Sequence, residues 1–178
     1  MERMLKRLWS RNMQRVRGYS DPSDVGAGAL RSSNSDHLPR VVVAQDPDPG
    51  ELTLIKDSVF AYNLERAGPH TYRRLAVFLR DPHNRILGGI TGGTYWGWFA
   101  IEFLWVAKDL RGRGYGKQLL SAAEHRAQEW ECHHAYLDTF TFQAAVGFYQ
   151  NLGYTQFGSL PDFPTGQQRI FLYKALVG

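Results

Sequence analysis

The segment Leu104-Trp-Val-Ala-Lys-Asp-Leu-Arg111-Gly-Arg-Gly114-Tyr-Gly116-Lys-Gln-Leu-Leu120 decides how the chain is read. An apolar, strand-like run leads into a loop with glycines at 112, 114 and 116, and the loop opens directly into a helical pattern. Glycine removes the Cβ that would hold a ligand off the backbone. The helix that follows starts with unpaired N–H groups and the positive end of its dipole, which suits an anion and above all a pyrophosphate. Arg111, Arg113 and Lys117 add charge at the same point. The competing phosphate motifs fail. There is no Gly-x-x-x-x-Gly-Lys-Ser/Thr, and the dinucleotide fingerprint lacks its following parallel-strand pattern with a ribose-binding acid.

Outward from this segment the pattern alternates between strand and helix. Val41–Ala44 is a short apolar run suited to a buried strand, and Asp46-Pro-Asp-Pro-Gly50 is turn chemistry. Glu51 to Ala67 carries Leu54, Val59, Phe60 and Leu64 at helical spacing and ends at Gly68-Pro69. Tyr72–Leu79 and Ile86–Tyr95 read as strands joined through Asp81-Pro-His-Asn84, followed by a third strand over Trp98–Val106. Leu110 to Glu131 reads mainly as one helix with Leu119, Leu120, Ala123 and Ala127 inward. A strand over Ala135–Thr139, a short helix over Gln143–Leu152 closed by Gly153, and strands over Tyr154–Leu160 and Arg169–Ala175 complete the chain. The order predicts an α/β (α+β) fold, a mixed sheet with helices on its faces.

Charge distribution separates this body from what precedes it. The 178 residues carry 21 Lys/Arg and 17 Asp/Glu, a net +4 that would ordinarily raise a nucleic-acid partner. Residues 1–40 hold eight of the bases and four of the acids, so residues 41–178 are balanced and the basic excess belongs to the arm. Within the arm, residues 1–17 read as a short basic helix and residues 18–38 as a Ser-, Gly- and Asp-rich linker. The expected domains are therefore 1–40, arm and linker, and 41–178. The lone Cys132 excludes an internal disulfide framework, and no stretch approaches 18 apolar residues. The start lacks a secretory apolar core, so the expected location is the cytoplasm, with no membrane partner.

At this point the residues resemble a family. Arg111-Gly-Arg-Gly114-Tyr-Gly116 matches the Gln/Arg-x-x-Gly-x-Gly/Ala signature of the GNAT superfamily of acetyl-CoA-dependent N-acetyltransferases. Downstream, Ala145-Val-Gly-Phe148-Tyr149-Gln-Asn-Leu-Gly153-Tyr154 resembles that family's Ala-x-x-Phe-Tyr-x-x-x-Gly-Phe segment. The resemblance implies a mainly antiparallel sheet of about six to seven strands with helices on both faces. It also implies that Trp98–Val106 and Ala135–Thr139 splay apart to admit pantetheine. The cofactor arm would pair with the backbone of Leu104, Trp105 and Val106, and a backbone N–H near Trp105 or Val106 would polarise the thioester carbonyl. The pyrophosphate would sit on Arg111, Gly112, Arg113, Gly114, Tyr115, Gly116 and Lys117. Tyr149 matches the tyrosine that supplies a proton to the departing thiolate. Where many members carry Asn, this chain has Phe142, which leaves Gln143 to replace that amide contact.

An attacking amine needs a base. Glu102 is the one acid in Ala100–Val106, where burial of a carboxylate is costly without a partner, and strand alternation would place it with Leu104 and Val106. Asp138 is a second candidate, to bind or deprotonate a cationic substrate. His133 and His134 point to opposite faces of a strand and cannot chelate together, so no metal is expected. The acceptor pocket implied by the resemblance draws on Asp57, Tyr62, Glu65, Trp96, Trp98, Phe140, Asp162 and Phe163. Aromatic faces interspersed with acids suit a polycationic, sugar-like amine. Leu137–Gln143 and Gly158–Lys174 look like a bacterial subset that includes aminoglycoside-type acetyltransferases, kasugamycin-modifying ones among them. The expected function is direct acetyl transfer to a small-molecule amine, an aminoglycoside-type antibiotic in the first place, by an enzyme that is a homodimer by family habit. The alternatives are an acetyltransferase acting on a protein N-terminus or lysine, and a non-catalytic acyl-CoA-binding or nucleic-acid-associated protein.

Overall fold

The computed structural model describes residues 39–69 and 71–176; the arm helix expected over 1–17 and the linker over 18–38 lie outside the described residues. The chain divides into two compact units, one ending at Gly68 and the other beginning at Pro69. The first contains helix α1 (Pro49–Ala67). Its start is fixed by a capping box: Gly50 N–H donates to Asp48 Oδ1 at 2.7 Å, and Asp48 N–H donates to Glu51 Oε2 at 3.1 Å. Gly68 at φ 80° ends it, donating its N–H to Leu64 O. Val41–Ala44 does not form the expected strand; Val41, Val42 and Val43 are exposed and pair with no strand among the described residues. An apolar run becomes a strand only where a neighbour takes up its backbone N–H and C=O groups.

The second unit is a six-stranded sheet in the order β1-β2-β3-β4-β6-β5. The strands are β1 (Arg73–Arg80), β2 (Ile86–Tyr95), β3 (Trp98–Val106), β4 (His134–Phe140), β5 (Thr155–Pro161) and β6 (Gln168–Ala175). Every neighbouring pair is antiparallel except β3 and β4. Helix α2 (Tyr115–Glu129) follows β3, and the five-residue α3 (Val146–Gln150) follows β4. The helix expected from Leu110 starts later because Gly112 and Gly114 adopt φ 73° and 84°, outside the helical region. Likewise, the segment expected as one helix from Gln143 breaks at Ala144 (φ 52°).

α2 supplies Leu119, Leu120, Ala123 and Ala127 to a core that also holds Leu75, Ile90, Phe99, Leu137 and Leu172. Fully burying one such Leu or Phe contributes about 1.5–3 kcal/mol. One acid lies on the same helix face. Glu124 is buried because both its oxygens are taken: Tyr154 Oη donates to Oε1 at 2.8 Å and Lys174 Nζ to Oε2 at 2.7 Å.

The pairing of β2 and β3 contains an irregularity that matters later. Gly92 faces Ile101 and Thr91 faces Phe103, so Glu102 has no partner and forms a bulge. Before it Phe99 and Ile101 join the core; after it Leu104 and Val106 pack against that core. Glu102 and Phe103 therefore both project from the opposite face of the sheet. The alternation expected for Glu102 fails because a bulge adds a residue to the count.

Candidate active site

β3 and β4 pair only over Trp98–Ala100 with His134–Tyr136 and then part, although both strands run on. Beyond Ala100 the β4-facing edge of β3 is open. Ala107 N–H donates to Leu87 O at 2.9 Å, which sets the alternation backward along the strand. The backbone of Trp105 turns toward β2, and that of Leu104 and Val106 turns into the gap. Of the two residues expected to present an N–H there, the register selects Val106. Its carbonyl accepts from Arg111 Nε at 3.0 Å, which ties the glycine loop to the end of the strand.

The loop itself is a set of unclaimed donors. Among the described residues, the N–H groups of Gly112, Arg113, Gly114, Tyr115, Gly116 and Lys117 have no backbone or side-chain acceptor, and the first helical bond runs from Gln118 N to Gly114 O. Gly114, the residue before the helix, offers no side-chain cap, and no acid occupies the first turn. A Cβ on Gly112 or Gly114 would meet nothing within 4 Å, so the left-handed backbone, not crowding, requires glycine there. Arg113 and Lys117 belong to the same stretch, a combination that fits an anion.

Tyr149 lies on α3 and belongs to the core. Its residue is 7% exposed, its ring meets Phe148 at 5.0 Å and Tyr154 at 5.7 Å, and its hydroxyl has no partner among the described residues. Burial pushes the phenol up to about 12. Phe148 in turn lies against the start of α2, its ring 3.4 Å from where a Cβ on Gly116 would be. Phe142 is exposed and stacked on Phe140 with centroids 5.1 Å apart. Gln143 is committed at one end: its Oε1 accepts from Thr139 Oγ1 at 2.7 Å and from Phe140 N at 3.0 Å.

The opposite face of the sheet gathers most of the remaining candidates. Glu102 is exposed rather than buried, and among the described residues it makes no hydrogen bond or ion pair. Asp138 is not an open acid. Arg169 holds it with two bonds, Nε to Oδ2 at 2.6 Å and Nη2 to Oδ1 at 2.8 Å, and the guanidinium sits over the rings of Phe140, Phe163 and Phe171. Trp98 is stacked on His134 at 4.5 Å, while Trp96 occupies the β2–β3 turn at φ 45°. Asp162 is a turn residue whose Oδ1 accepts from Gly166 N at 3.1 Å in the β5–β6 loop. Glu65, Asp57 and Tyr62 belong to α1 in the other compact unit. Three residues passed over in the sequence complete the face: Arg169, Tyr95 and Tyr136, the last two joined through their hydroxyls at 2.7 Å.

Residues 43–154 match the sequence profile of the acetyltransferase (GNAT) family. The chain belongs to that family. An acetyltransferase of Agrobacterium fabrum, Atu2258, is 37% identical over 133 residues, covering 75% of this chain and 96% of that protein. A blasticidin-S acetyltransferase of Streptomyces morookaense is 37% identical over 102 residues, covering 57% of this chain and 74% of its own. A Bacillus cereus acetyltransferase crystal structure superposes with a TM-score of 0.70 at 32% identity, covering 75% of this chain and 97% of that one.

GNAT acetyltransferases use acetyl-CoA, and two independent features of this chain fit it. The glycine loop offers donors and positive charge to a pyrophosphate, and the open strand edge offers the N–H groups of Leu104 and Val106 and the Leu104 C=O to an extended amide chain.

Proposed function

We propose that this GNAT enzyme transfers the acetyl group of acetyl-CoA directly to a primary amine of a small molecule. One observation supports the reading: β3 has an open edge where it parts from β4 and runs directly into a loop with six N–H groups that have no acceptor among the described residues. Gly112 to Lys117 would hold the pyrophosphate, and the backbone of Leu104 and Val106 would hold the amide arm. Acetyl-CoA supplies an acyl group activated as a thioester. The Val106 N–H would polarise the thioester carbonyl, acting as an oxyanion donor. Tyr149, raised to about 12, keeps its proton through the neutral range and donates it as a hydrogen bond to the departing sulfur. The amine approaches from the other face, where Glu102 takes up its proton.

Support for a small-molecule acceptor comes from the relative named for blasticidin S. The polycationic pocket expected of an aminoglycoside site has less support. Asp138 is neutralised by Arg169, and Asp162 is occupied in its turn. The test is thiol release from acetyl-CoA across kanamycin, blasticidin S and short peptides. Faster turnover with the antibiotics supports the reading, and turnover confined to peptides moves the acceptor to a protein.

Two substitutions probe the halves of the site. In Glu102→Gln, kcat should fall about tenfold or more with KM for acetyl-CoA near the wild-type value; an unchanged kcat would release Glu102 from the role of base. Gly114→Ala forces an alanine to φ 84°, which costs about 1–2 kcal/mol. Because that strain falls on the loop donors, KM for acetyl-CoA should rise about tenfold. An unchanged KM would mean that the loop does not hold the cofactor.

A further inference from the structure

The point where β3 and β4 separate is marked by a side chain with no assigned task. Tyr136 faces Ala100 in the last pair of the parallel ladder, so it stands at the apex of the opening. It alternates with the buried Ala135 and Leu137 and therefore projects from the acceptor face, together with Asp138 two residues on. Tyr95, from the end of β2, meets its hydroxyl at 2.7 Å across β3. Trp98 closes one side, its ring 6.0 Å from that of Tyr136. The Tyr136 oxygen has two lone pairs and its bond to Tyr95 uses at most one, so it keeps an acceptor site for an N–H donor.

Two carboxylates act on this phenol. Burial raises the Tyr136 pKa first, the Tyr95 hydrogen bond adds to it, and the charges of Asp138 and Glu102 push it further. Of those carboxylates, Asp138 is filled by two bonds from Arg169, whereas Glu102 has no bond among the described residues. Glu102 is therefore the carboxylate open to a proton. The bulge is what brings it to this face. A phenol that resists ionisation is a poor base on its own, but it passes a proton well when it receives one as it gives one up.

We propose that Tyr136, held by Tyr95, receives the acceptor amine and relays its proton to Glu102, directly or through one water. This rests on the acetyl-transfer reading above. The amine nitrogen forms the C–N bond to the acetyl carbon as the C–S bond breaks and sulfur leaves with the electron pair. One amine proton passes to Tyr136 Oη while the Tyr136 proton passes to Glu102, so the phenol ends neutral and the carboxylate protonated. Tyr95 is a positioning residue that fixes the orientation of Tyr136. The nearby groups that also carry charge or titrate are His134 and Asp138 on β4 and Arg169 on β6.

The test uses the full chain with acetyl-CoA and, as acceptors, kanamycin and blasticidin S. Tyr136→Phe should lower kcat about 100-fold with KM for acetyl-CoA within about twofold, and Tyr95→Phe should lower it about fivefold. The double variant should be no slower than Tyr136→Phe alone, because the two phenols act as one unit. In mixed light and heavy water, the wild-type rate should follow a curved, two-proton dependence that becomes linear in Tyr136→Phe. A merely structural tyrosine would leave that curvature in place. Wild-type turnover with an unchanged rate in Tyr136→Phe would overturn the relay and leave the acetyl-transfer reading intact. Absence of wild-type thiol release with either amine would overturn both.

Discussion

Replacing Tyr149 with phenylalanine is expected to cut kcat about 100-fold while KM for acetyl-CoA stays near the wild-type value. The ring survives the substitution, and with it the packing against Phe148 and Tyr154 that places α3. Only the hydroxyl is lost, and no described residue depends on it. A functional role for that group therefore separates cleanly from a packing role. If kcat does not change, Tyr149 takes no part in the chemistry.

The same variant has a consequence for alkaline stability. The folded phenol is raised to about 12, whereas an unfolded tyrosine titrates near 10. A folded pKa above the unfolded one means that the contribution is complete below about pH 10 and is lost as pH rises toward about 12. The amount lost is about 3 kcal/mol for this group. Tyr149→Phe has no such loss, so urea melts should show it declining less than wild type across that window. Parallel decline in the two proteins would contradict the assignment.

Gly92→Ala carries the largest expected effect on stability, a loss of about 3 kcal/mol or more, or failure to fold. An added Cβ would run into the carbonyl oxygen of Ala100 on the neighbouring strand and lie 2.8 Å from Phe99 Cε2, in the fully buried core. Backbone cannot yield as a flexible side chain does. Any shift would act on the pairing beside Glu102, since Gly92 faces Ile101 at the bulge. Gly147→Ala is the control: a Cβ there meets nothing within 4 Å, and the site is helical, so denaturant melts should show little change or a small gain. Equal stability of the two variants would contradict the packing described for β2.

What could be read in advance followed the locality of the signal. The glycine loop, the strand before it and the Phe148-Tyr149 segment are contiguous, and local chemistry dictates their conformation. The opening between β3 and β4 was expected from the family resemblance that these contiguous motifs carry, and the strands do part there. Glu102 was harder. Its identity stands out in an apolar strand, but its face depends on a bulge, and a bulge is a property of the pairing with β2. Asp138 was read as an open acid because Arg169, 31 residues away, only meets it once β4 and β6 pair. Tyr95 and Tyr136 are 41 residues apart and were invisible as a pair for the same reason. Val41–Ala44 failed in the opposite direction: a strand-like composition without a neighbouring strand. The signal that could have found Tyr136 is the alternation along β4 that puts it on the same side as Asp138.

The central claim is acetyl transfer from acetyl-CoA to an amine of a small molecule, and product analysis tests it most directly. The full chain is incubated with acetyl-CoA and kanamycin or blasticidin S, and the products are identified by mass spectrometry and NMR. The predicted result is an antibiotic carrying one added acetyl group on an amine nitrogen, formed in step with free CoA. Unmodified antibiotics beside an acetylated peptide would contradict it.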